Sequence, residues 1–161
     1  MKYSLLLSLS SVLLASGASP VLAEEEVSEK DIKTALAAPD SHLRHNTWKR
    51  LNPEKDAHYK YLLQILRSLS WFDRQGAVLA LAKGATDAAL KKMARDLKEH
   101  KDPAVRQGLA DALAKMNDEK LYPNLYAALN DKDPMVRRMV VKFKRDLGLP
   151  AREIDWGWKP R

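Results

Sequence analysis

Four histidines, His42, His45, His58 and His100, are the side chains of this 161-residue chain best suited to metal binding or proton transfer. His42 and His45 stand at i, i+3, so on a helix they share a face, as metal ligands sometimes do. No third ligand stands at a recognisable spacing and the chain has no cysteine, so they read as surface histidines. Asp96 and Glu99 are an i, i+3 carboxylate pair. They lie on a lysine-rich stretch and read as a solvated, salt-bridged face. No glycine-rich phosphate loop, nucleophile elbow or HExxH segment is present. The residues support neither an enzyme nor a bound cofactor.

Arginine is the type that recurs. Arg44, Arg74, Arg106 and Arg137 each follow a short polar stretch, at intervals near 30 residues. Taken singly they could be a ladder of anion-binding groups. Recurring with a module, they read as a stacking device. The module is visible directly. Arg74-Gln75-Gly76-Ala77-Val78-Leu79-Ala80-Leu81-Ala82-Lys83 returns as Arg106-Gln107-Gly108-Leu109-Ala110-Asp111-Ala112-Leu113-Ala114-Lys115, and Lys101-Asp102-Pro103-Ala104-Val105-Arg106 returns as Lys132-Asp133-Pro134-Met135-Val136-Arg137. A weaker echo is Asp40-Ser41-His42-Leu43-Arg44. Self-similarity at this period predicts a stacked repeat array, an architecture that mostly offers surfaces to partners.

Helices must carry the module. Tyr59-Leu62-Leu63-Leu66, Leu90-Met93-Ala94-Leu97 and Tyr122-Leu125-Tyr126-Leu129 follow the i, i+3, i+4, i+7 spacing of one buried face, and Ile32 with Leu36 gives a shorter version. These are the first helices of four pairs. The second helices follow the polar turns, with Asp40, Ser70, Asp102 and Asp133 as N-caps and Pro103 and Pro134 at first helical positions. Gly84 and Gly148 stand where a left-handed residue would end a helix. No segment alternates with period two, so the expected class is all-α, in four units at about 28–51, 55–84, 86–116 and 118–148.

Leu-Asn-Asp-Lys-Asp-Pro-Met-Val-Arg at 129–137 resembles the turn between the helices of a HEAT repeat, and the short unit is similar to the HEAT-like repeats of phycobilisome lyases. The resemblance implies a right-handed α-solenoid whose second helices line a concave face. It implies that the repeated arginines pair with turn aspartates of their own or a neighbouring unit, here Asp102, Asp131 and Asp133. Lyase activity does not carry over, because this chain is much shorter and an exported protein has no evident bilin substrate. From helical phase, the partner-facing positions are His45, Lys49, Gln75, Gln107, Asp111, Arg138, Lys142 and Arg145.

Charge and the two ends complete the sequence. Of the net +7, +5 falls in residues 132–161. There Val136, Met139, Val140, Phe143 and Leu147 share an apolar face, and Arg137, Arg138, Lys142, Lys144 and Arg145 fill the other side as a basic stripe. That stripe suits an acidic protein, anionic lipid or an anionic polymer. Nucleic acid is the weaker candidate, because the first residues read as an export signal. Met1-Lys2, the apolar run Leu5 to Leu14 and Val21-Leu22-Ala23 predict a secretory signal at 1–23, cleaved after Ala23, with a periplasmic or secreted product. No later segment is apolar enough to span a membrane. The tail 149–161 places Trp156 and Trp158 beyond the last helix, either as a cover for the end of the array or as an anchor for a ligand.

Overall fold

The computed structural model describes residues 27–84 and 86–146. The expected signal, the capping position of Gly148 and the tail with Trp156 and Trp158 lie outside them. Among the described residues there are eight α-helices and no strand. They are α1 (Glu29–Ala37), α2 (Ser41–Trp48), α3 (Asp56–Ile65), α4 (Trp71–Lys83), α5 (Asp87–Glu99), α6 (Pro103–Met116), α7 (Tyr122–Ala127) and α8 (Pro134–Asp146).

Local chemistry sets the starts. Asp40 accepts hydrogen bonds from the His42 and Leu43 amides, Ser70 from Asp73, Asp102 from Ala104 and Asp133 from Met135. Each satisfies donors that the first helical turn leaves free. Packing then orders the elements. α2 lies on α4, α4 on α6 and α6 on α8, and α1, α3 and α5 lie on α2, α4 and α6 respectively. One contiguous apolar cluster runs through them from Val27 and Ile32 by Trp48, Leu62, Leu81, Met93 and Leu109 to Leu125, Val140 and Phe143. The repeated phrase supplies close approach as well as apolar surface. A Cβ on Gly76 would lie 3.0 Å from Trp48 Cβ and 3.1 Å from the His45 carbonyl oxygen, so glycine lets α4 sit against the α2 backbone.

Three expectations need correction. Gly84 ends α4 at φ −94°, outside the left-handed region, and the left-handed cap is Asn117, φ 50°, after α6. Glycine is required at 84 for room, since a Cβ there would collide with Pro53. The first helix of the last unit is broken: α7 has six residues between two 3-10 turns, and Tyr126 is exposed. Lys144 does not join the basic stripe. It lies about 40° from Val140 on the helix wheel, so its stem is buried and its ammonium stands 5.4 Å from the Tyr126 ring centroid.

Candidate functional site

The arginine ladder is a device for holding turns. Every one of its members points Nη1 at two carbonyls of the preceding turn, five and six residues back. Arg44 takes Ala38 and Pro39, Arg74 takes Ser68 and Leu69, Arg106 takes His100 and Lys101, and Arg137 takes Asp131 and Lys132. These carbonyls lie in the turns, outside the helices and their hydrogen-bond ladders, and a fixed guanidinium fork suits them.

Two of the arginines also reach the next unit. Arg44 Nε lies 3.0 Å from both Asp73 carboxylate oxygens. Arg106 forms a bidentate pair with Asp131, Nε to Oδ2 at 2.7 Å and Nη2 to Oδ1 at 2.8 Å. Asp131 also accepts from the Asp133 amide. Burial pushes the Asp131 carboxyl up, but the Arg106 and Asp133 hydrogen bonds and the Arg106 charge leave it below the usual carboxylate range. Asp102 pairs instead with Arg67, at 2.6 Å, and Asp133 serves as a cap.

Arg74 makes its carbonyl bonds but no ion pair among the described residues. The reason is a slot in the turn. Ser68, His100 and Asp131 each accept from the amide two residues on, at 3.1, 3.1 and 2.8 Å. The last of these slots holds the carboxylate that Arg106 meets, whereas the slot due to meet Arg74 holds His100. His100→Asp is therefore expected to raise stability by about 0.5–1.5 kcal/mol. An unchanged denaturation midpoint would refute the equivalence of the slots.

The residues assigned to partner contact are only partly assembled. Gln75 Nε2 lies 3.4 Å from Asp111 Oδ2 across α4 and α6, and Lys115 stands 3.7 Å from Asp111. Asp111, Lys115, Lys142 and Asp146 line one open cleft of about 250 Å³ with Met139 and Phe143. Gln107 is half-buried on α6. Arg138, Lys142 and Arg145 are exposed on α8, with Arg145 3.7 Å from Asp146. His45 lies apart, its Nδ1 2.9 Å from the Phe72 carbonyl oxygen, and Lys49 lines a separate cleft with Glu54 and Lys83. His42 turns to the Phe72 ring, with centroids 5.1 Å apart. Among the described residues, no cluster of His, Cys, Asp or Glu is placed to hold a metal ion. No helix among them is long and apolar enough to cross a membrane.

Two features escaped the sequence reading. Asp73 is buried and accepts from Arg44, Trp48 Nε1 and Ser68. It occupies the position before the repeated arginine, where two other units place the buried Val105 and Val136. A carboxylate in that apolar slot was the available signal. The second feature is an exposed apolar edge of Leu43, Leu69, Trp71 and Phe72.

Residues 90–152 match the family model for HEAT repeats. No curated protein and no solved structure matches the chain significantly. HEAT repeats generally mediate protein–protein interaction and scaffolding, and proteins built from them are typically non-enzymatic. Over the matched residues, which run from within α5 past the end of α8, this chain is similar to HEAT repeats.

Proposed function

We propose that this protein is an exported, periplasmic α-solenoid of four HEAT-like helix pairs that binds a partner protein through the face made by its second helices. The observation carrying this reading is the unbroken packing of α2, α4, α6 and α8 against one another. Helices stacked in that order form one continuous surface, and a right-handed solenoid would make it concave. The surface is polar and mixed over Gln75, Gln107 and Asp111, and basic at Arg138, Lys142 and Arg145. A partner with an acidic edge opposite α8 fits that distribution. The signal-like residues 1–23 support export.

The test is capture of partners from the native cell envelope by the tagged protein, at low and high salt. A discrete protein retained in high salt by the wild type, and lost by Arg138→Glu/Lys142→Glu/Arg145→Glu, is the expected result. All three side chains are exposed, so the variant should keep its helix content. Undiminished capture by a folded variant would remove α8 from the interface. Lipid or polymer released by salt would replace the scaffold reading with an anion-binding one.

A further inference from the structure

The turn edge of the molecule carries apolar surface that folding does not require. Leu69, at the turn between α3 and α4, is 99% exposed, and Trp71, the first residue of α4, is 59% exposed. Phe72 is also exposed, packing on Trp71 with ring centroids 5.2 Å apart, and Leu43 is exposed on α2. The other copies of this turn show what the fold needs. Lys101-Asp102-Pro103-Ala104 and Lys132-Asp133-Pro134-Met135 cap their helices with aspartate and start them with proline. Leu69-Ser70-Trp71-Phe72 caps equally well through Ser70, yet sets a leucine and a tryptophan in water. Large exposed apolar side chains gathered at one place mark a contact surface.

Exposure and charge indicate what the contact is. Leu69 lies in the turn between α3 and α4, with its side chain almost wholly in water. The matching positions of the next two turns are Lys101 and Lys132, both exposed and in no ion pair among the described residues. The acids of these turns are largely occupied. Asp40, Asp102 and Asp133 accept from amides of their own helices, Asp102 also holds Arg67, and Asp73 and Asp131 are buried against Arg44 and Arg106. Asp40 and Glu99 are the exposed acids that offset part of the lysine charge, and Arg74, which makes no ion pair among the described residues, adds to it. A leucine–tryptophan tip beside lysines matches a bilayer interface, where the apolar groups enter the headgroup boundary and the ammoniums meet phosphate.

We propose that this edge, with Leu69 and Trp71 as its tip, is a membrane-interface contact that takes anionic phospholipid. It adjoins the second-helix face, since Trp71 stands one turn before Gln75 on α4, but it does not depend on that face binding a protein.

The chain has no cysteine, so Leu69→Cys accepts a single environment-sensitive fluorophore. With vesicles of equal parts phosphatidylglycerol and phosphatidylcholine, its emission should shift to the blue and brighten about two-fold or more. The response should be much smaller with phosphatidylcholine alone, and the same label at Gln107→Cys should stay unchanged. Leu69→Ser/Trp71→Ser should lower vesicle partitioning about ten-fold at constant circular dichroism. Lys101→Glu/Lys132→Glu should abolish the preference for anionic vesicles. An unresponsive label at position 69 overturns the proposal, including the case in which the tip seats in a pocket of a protein. Binding that survives the tip substitutions but is lost in Arg138→Glu/Lys142→Glu/Arg145→Glu also overturns it, by moving the lipid contact to α8.

Discussion

Arg106→Met lowers the free energy of unfolding by about 3–5 kcal/mol, the cost of leaving one partner of a buried ion pair alone. Against a total of about 5–15 kcal/mol, that loss brings the domain close to unfolding. Arg106 is 2% exposed and its partner's carboxylate 8%, so water reaches neither group to compensate. Removing the guanidinium strands Asp131 and also releases the His100 and Lys101 carbonyls. The pH dependence has a defined sign. The folded Asp131 carboxyl titrates below its unfolded value of 3.8, so its contribution is complete above that value and is lost as pH falls through the folded pKa. In Arg106→Met the carboxylate is buried without its cation, and acid relieves it. The stability gap between wild type and variant should therefore narrow steadily as the pH falls from neutral towards 3. Urea denaturation at neutral pH and at pH 3 checks both statements. A gap that stays constant across that range would show that Asp131 is not the group at stake.

Trp48→Ala should cost about 3–5 kcal/mol, and Trp48→Phe about 1–3 kcal/mol. Trp48 is 1% exposed between α2 and α4, and its indole N–H donates to Asp73 at 3.0 Å. Alanine removes both the packing and the hydrogen bond. Phenylalanine keeps most of the volume and leaves a buried carboxylate one donor short. The difference between the two variants, read from denaturation midpoints, separates packing from the hydrogen bond. Equal losses would assign the whole effect to the N–H, and an unaffected phenylalanine variant would show that Arg44 and Ser68 satisfy Asp73 unaided.

The helical frame was legible because a repeat states its requirements several times. Asp102-Pro103 and Asp133-Pro134 announce a cap and a first turn, and Arg106 and Arg137 follow at the same distance, so a structural role for these arginines was legible from their period, whereas their carbonyl partners were not. Deviations between copies were harder to interpret. Asp73 in a valine slot depends on Trp48, 25 residues earlier, and on Arg44, 29 residues earlier, and Trp48 has no counterpart in the repeated phrase. Lys144 is polar by type, so it reads as part of the basic stripe, yet its place on the wheel beside Val140 buries its stem and sets its ammonium over the Tyr126 ring. The assigned partner face divides for a similar reason. Phase places side chains on the outward arc of each helix, but the neighbouring helix decides which meet. Gln75 therefore reaches Asp111, while His45 turns to the Phe72 carbonyl.

The arginine clamps also bear on how fast the chain folds. Each closes a loop of five or six residues, and so short a loop costs little entropy to close. The same small closure is repeated four times along the chain, and none of the four waits for a distant segment to arrive. Low contact order of this kind belongs to rapid folders, in which nucleation can begin at any turn and spread to either side. A chain that forms its own corners first spends little time with unpaired backbone exposed.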